Sequence, residues 1–151
     1  MRTLMSTLAV VILLALPNMA KAHCQVPCGI YDDHARIHAM EEDADTIAKA
    51  MAKAEALAGK SDAQSVNQLI RWTQTKEEHA SHVITTVAEY FLTQKIKPAP
   101  AKDKKAHDGY VKRLKACHGV MRAAMKTKQT VDAVHVTELR SALKTLASLF
   151  P

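Results

Sequence analysis

Apolar residues that return at alternating steps of three and four constrain a chain tightly. Such residues line one side of an α-helix but scatter over both faces of a strand. From Ile37 the run is Ile37, Met40, Ala44, Ile47, Met51, Ala54 and Ala58. Gly59 follows as a C-terminal stop, and Ser61 or Asp62 can cap a second helix. The inward seam of that helix reads Val66, Leu69, Thr73, Lys76, Ala80, Val83, Val87 and Tyr90, and Pro98 and Pro100 end it. A third helix is predicted to start near Asp103, with Tyr110, Leu114, Cys117, Met121 and Ala124 on one face. A fourth should start near Thr130 or Asp132, with Leu139, Leu143, Leu146 and Phe150 inward. Only 4 glycines and 5 prolines interrupt 151 residues, and no strand-like alternation is present. Four amphipathic helices with short links predict an all-α, up-down-up-down four-helix bundle over residues 32–151. Its first two helices are predicted to be longer than its last two.

The first 22 residues do not fit that pattern. Arg2 provides a positive start, Leu8 to Leu16 is an apolar stretch, Pro17 and Asn18 break it, and Ala20-Lys21-Ala22 has the small-x-small form of a signal-peptidase site. The apolar stretch is short for a membrane span. Residues 1–22 therefore read as a secretory signal peptide that signal peptidase removes. The mature chain is expected to be exported, periplasmic or secreted, with no membrane attachment after cleavage.

Cleavage there makes His23 the first residue of the mature chain, with a free α-amine, an imidazole and a following cysteine. Residues 23–31, His-Cys-Gln-Val-Pro-Cys-Gly-Ile-Tyr, hold Pro27 and Gly29 and should form an irregular hook ahead of the bundle. The His23 amine and the Cys24 backbone nitrogen can close a five-membered ring on a metal. The same nitrogen and the Cys24 sulfur can close a second. A turn at Val26-Pro27 can return the Cys28 thiolate to the same plane. The resulting N2S2 set suits Ni(II) or Cu(II), with the His23 imidazole tethered for an axial approach. Zinc prefers tetrahedral sites and does not need a deprotonated amide. Two thiolates and an amidate favour a higher oxidation state, which suits one-electron exchange with a small molecule. A small-loop disulfide between Cys24 and Cys28 is the other reading of this pair.

The hook ahead of a helical bundle resembles nickel superoxide dismutase. The resemblance is carried by His23-Cys24-x-x-Pro27-Cys28-Gly29-x-Tyr31 and runs on to Asp32. Within the bundle it includes Ala35-Arg36-Ile37 and Glu89-Tyr90-Phe91. It implies disproportionation of superoxide to dioxygen and hydrogen peroxide through a Ni(III)/Ni(II) cycle, with one nickel ion per subunit. It also implies metal ligation by the His23 amine and imidazole, the Cys24 amide and thiolate and the Cys28 thiolate. Tyr31 would flank the substrate approach, and Tyr90 would be a second tyrosine near the site. The implied assembly is a homohexamer. The family often has an acidic residue in place of Gln25 and a proline in place of Asp33. A glutamate and an arginine that buttress the axial imidazole in some members have no clear counterpart; His38, and Thr75 or Lys76, fall nearest. The competing reading is a periplasmic nickel or copper carrier that uses the same chelate without turnover. A third is an electron-transfer or structural bundle whose hook is only a disulfide clip.

Other features read more plainly. Removing the signal leaves 19 basic against 15 acidic residues, a mild positive balance. Lys95, Lys97, Lys102, Lys104 and Lys105 cluster around a proline-rich break and read as a solvated link. Without interleaved aromatics or a recognition motif, no nucleic-acid partner is expected. His34 with His38, and His79 with His82, lack an evident third metal ligand and read as solvated or structural, with one of the second pair expected beside the core. Cys117-His118 is not a haem-attachment motif, because position 114 is leucine; Cys117 reads as a buried small hydrophobe. Lys76 is the anomaly of the inner seam. It is either a snorkelling lysine at the seam edge or a charge that supports the hook or draws in an anion.

Overall fold

A computed structural model describes residues 32–151. The signal peptide and the hook, with His23, Cys24, Cys28 and Tyr31, lie outside the described residues. Four helices carry the described chain: α1 (Asp33–Leu57), α2 (Ala63–Thr86), α3 (Lys104–Gln129) and α4 (Val134–Ala147). A π-helical segment, Val87–Lys95, continues α2 without a break. Each helix packs on the next in sequence, and α4 closes the ring on α1, as an up-down-up-down bundle requires. Among the described residues there is no strand, and no helix is long and apolar enough to cross a membrane.

Aspartates cap three of the helices, Asp62 among them as expected, whereas the fourth follows Ala133 without a side-chain cap. Asp32 accepts from the His34 amide at 2.9 Å, Asp62 from Ser65 at 2.9 Å and Asp103 from Ala106 at 3.0 Å. Each carboxylate satisfies an amide that the first helical turn leaves without an intrahelical partner. Gly59 ends α1 at φ +78°, a backbone conformation that a side chain would strain.

The core follows the predicted seams closely. Ile37, Met40, Ala44, Ile47, Met51 and Ala54 of α1 are buried, whereas Ala58, the last of the expected run, is exposed past the helix end; Leu139, Leu143, Leu146 and Phe150 are buried at the other end of the chain. Phe91 sits at the centre, edge-on to Tyr90 with ring centroids 5.1 Å apart and to Phe150 at 4.9 Å. Cys117 is fully buried, and that burial pushes its thiol up to about 11, as befits a packing residue. In α3, Tyr110, Leu114 and Met121 are only half-buried, and Val120 and Thr127 complete the inner face.

Two expectations need correction. The third helix is not short: α3 has 26 residues, against 25 in α1, and only α4 is short, at 14. The inner seam of α2 also begins later than its periodicity suggests. Val66 and Thr73 are exposed and Leu69 is half-buried, whereas Lys76, Ala80, Val83 and Val87 are buried. The cause is helix length. The carbonyls at the end of α3 meet the Lys76 side chain, so the turns of α2 before it project past α3 and, among the described helices, pack mainly on α1. On that overhang Trp72 is half-buried, with the Lys49 ammonium 5.9 Å from its ring centroid.

Candidate metal centre and its supporting face

The first described residue, Asp32, fixes where the hook joins the bundle. The bundle surface next to that junction is the end where α1 begins.

Tyr90 lies at that end. The π segment puts it there. The Ile96 amide bonds the Phe91 carbonyl at 2.9 Å, five residues back. The Thr93 hydroxyl reaches the Ala88 carbonyl at 2.7 Å, and the Gln94 side-chain amide reaches the Glu89 carbonyl at 3.1 Å, each also spanning five residues. This wider turn lets the consecutive residues Tyr90 and Phe91 both be buried, which a narrow α-helical seam would not favour. Tyr90 Oη donates to Asp33 Oδ1 at 2.5 Å, and Lys95 Nζ lies 2.9 Å from the same oxygen. The Arg36 guanidinium stands 5.6 Å from the Tyr90 ring centroid and the Lys95 ammonium 5.8 Å. Burial, then the hydrogen bond to Asp33 and the Asp33 charge, hold the Tyr90 hydroxyl well above the ordinary tyrosine range. A cleft of about 280 Å³ opens beside this cluster, with Arg36, His82, Glu89, Tyr90 and Gln94 on its walls. Two cations and a protonated phenol thus stand at the end of the bundle where α1 begins, and this suits the approach of a small anion.

A second polar cluster buttresses the cleft. Asp43, nearly buried in α1, takes His79 Nδ1 on one carboxylate oxygen and His82 Nδ1 on the other, each at 2.6 Å. The carboxylate ties α1 to α2 and fixes the ring of His82, which lines the cleft. The structural reading of the two histidines therefore holds, and the partner that sequence reasoning missed is Asp43. Its register was the available signal: it follows Met40 by three and precedes Ile47 by four, at the edge of the buried seam.

Lys76 is neither a snorkelling residue nor part of this face. It is 5% exposed, and its Nζ donates to the carbonyls of Thr127 at 3.0 Å, Lys128 at 2.6 Å and Thr130 at 3.3 Å, with Glu77 Oε1 at 3.1 Å. A cation there answers the carbonyls that the end of α3 leaves open and the negative end of its dipole. Tyr90 lies fourteen residues further along the same helical run, roughly 21 Å away at 1.5 Å per residue. His38 likewise stays off the cleft: its side chain is 73% exposed, beside Glu41 and Glu42. Among the described residues, no group of three histidine, cysteine, aspartate or glutamate side chains could hold a metal ion.

Residues 18–151 match a family model described as nickel-containing superoxide dismutase. No curated protein and no solved structure matches the chain.

Proposed function

The chain belongs to the nickel-containing superoxide dismutase family, and we propose that its nickel is held by the mature N-terminus, through the His23 amine and imidazole, the Cys24 amide and thiolate, and the Cys28 thiolate. The enzyme is an oxidoreductase that disproportionates superoxide: two superoxide ions and two protons give dioxygen and hydrogen peroxide. The observation that carries the assignment is the family match, which spans both the His23–Tyr31 stretch and the whole bundle. The chemistry of the donors supports it. Amine, amidate and two thiolates form a compact, anionic set suited to nickel. The described part of the bundle offers no competing cluster of donors.

Nickel, when bound, supplies a one-electron couple that accepts an electron from one superoxide and returns it to another. The protein's tasks are the remaining ones. The His23 amine becomes a donor only after residues 1–22 are removed, so export and maturation precede activity. The Cys24 and Cys28 thiolates need protection from peroxide, which otherwise carries thiolates up the oxidation ladder. Tyr31 flanks the approach. Arg36 and Lys95 make the Tyr90 face attractive to an anion. Each subunit binds one nickel ion, the assembly is a homohexamer, and the location is periplasmic or secreted.

Cys24→Ser and Cys28→Ser test the ligand set. Each should keep the helical bundle and lose superoxide turnover, because the site would lose one of the two thiolates that would hold the metal. A carrier module would bind nickel in the parent chain without turning over superoxide. Near-parental turnover in either variant would contradict the assignment.

A further inference from the structure

Tyr90 is held by more groups than a packing residue needs. Its hydroxyl donates to Asp33, its ring has two cations near it, and it is only 6% exposed. The Asp33 side chain is 17% exposed and also takes the Lys95 ammonium, so one carboxylate oxygen carries two donors. Asp33 opens α1, two residues after Tyr31, while Tyr90 and Lys95 lie on the π segment. The contact therefore joins the point where the chelating stretch enters the bundle to the wall of the cleft.

Building on the ligand assignment above, we propose that Asp33 is a positioning residue for dismutation: it turns the Tyr90 hydroxyl proton away from the cleft and anchors the start of α1, from which the chelating stretch departs. Among the described residues, the charged groups facing the phenol are Asp32, the cap of α1, Asp33 and Arg36 from α1 and Lys95 from its own segment. Burial first, and Asp33 second, keep the hydroxyl protonated well beyond the ordinary range, and Arg36 opposes them weakly. That proton is committed to the carboxylate. A superoxide or peroxide in the cleft consequently meets a neutral ring that gives it no hydrogen bond. Tyr90 narrows the approach without retaining what passes it. Without the carboxylate, the hydroxyl is free to donate into the cleft and to hold anions there.

Asp33→Ala, Asp33→Asn and the double variant Asp33→Ala/Tyr90→Phe test this in the full mature chain. The first readout is absorbance titration of the three tyrosines in nickel-free protein. In the parent, one tyrosine should stay protonated through the ordinary range near about pH 10. Asp33→Ala should bring it down toward that range, with burial holding it above the other two, and the double variant should remove it. The second readout is azide, a small anion, on nickel-loaded enzyme of measured metal content. Asp33→Ala should be inhibited at about fivefold lower azide, the worth of one added hydrogen bond, and the double variant should lose the added sensitivity. The turnover of Asp33→Ala should fall at alkaline pH in step with the newly titrating tyrosine. If Asp33→Ala loses helicity, Asp33→Asn decides: it keeps an acceptor for Tyr90 but no charge for Lys95, and the tyrosine should titrate earlier than in the parent. Three tyrosines titrating normally in the parent would overturn the proposal. So would an Asp33 variant with full nickel and unchanged azide sensitivity and pH profile. Failure of the ligand assignment is separate: it appears as nickel bound without Cys24 or Cys28 and leaves the titration untouched.

Discussion

Replacing Lys76 with methionine separates a structural cation from a functional one. Methionine keeps an unbranched, apolar stem of similar volume and removes only the ammonium. Three carbonyls at the end of α3 then lose their donor. At a net contribution of about 1 kcal/mol per hydrogen bond, the loss is about 3 kcal/mol. Breaking a buried ion pair by removing one partner costs about 3–5 kcal/mol, so this loss sits at the low end of that range. Glu77 adds little to the cost, because it is half-exposed and keeps Lys128 at 3.6 Å. For a domain of this size each kcal/mol lowers Tm by about 3–5 °C, so Lys76→Met should melt about 9–15 °C below the parent. The assay is thermal unfolding followed by far-ultraviolet circular dichroism, at one protein concentration because association alone shifts Tm. Turnover per bound nickel, and its dependence on salt, should match the parent, since Lys76 lies roughly 21 Å along the helix from Tyr90. A variant that melts within about 2 °C of the parent would refute the capping role. One of parental stability that turns over slowly would restore Lys76 to the anion path.

Two further perturbations probe the supporting face. The second-order rate with superoxide should fall as ionic strength rises, and Lys95→Gln should lower it more than Lys102→Gln or Lys104→Gln, because only Lys95 stands beside Tyr90; equal rates for the three variants across a salt series would contradict this. Asp43→Ala should destabilise the fold by about 2–4 kcal/mol in denaturant unfolding, because two short hydrogen bonds between α1 and α2 are lost together; a change under about 0.5 kcal/mol would show that the His79–Asp43–His82 arrangement contributes nothing.

The fold was legible because burial and periodicity agree. The residues from Ile37 to Ala54 and from Leu139 to Phe150 are apolar at helical steps and are the ones buried. The caps were legible because Asp62 and Asp103 stand immediately before helical runs. The overhang of α2 was not legible. Val66 and Val83 sit on the same stripe, and only the length of α3 decides which of them finds a neighbour. The role of Lys76 was hidden for a related reason. A lysine on a seam reads as misplaced until the end of α3 is known to arrive there. Around the cleft, Tyr90 was singled out by resemblance, whereas its contact with Asp33 was not anticipated and Lys95, read as part of a solvated link, pairs with that carboxylate. Their contact spans a long stretch of sequence and depends on a π-helical turn that no short pattern announces.

Nickel binding by the proposed ligand set requires a chain that begins at His23. In a chain that still carries Ala22, the His23 nitrogen is an amide, and the amine donor does not exist. The direct test is nickel content and superoxide turnover for two purified proteins that differ only in whether Ala22 is present, each confirmed by N-terminal sequencing. The chain beginning at His23 should bind one nickel per subunit and turn over superoxide, and the chain retaining Ala22 should lose tight nickel binding and activity. Full nickel occupancy and full turnover with Ala22 in place would contradict the proposed N-terminal site.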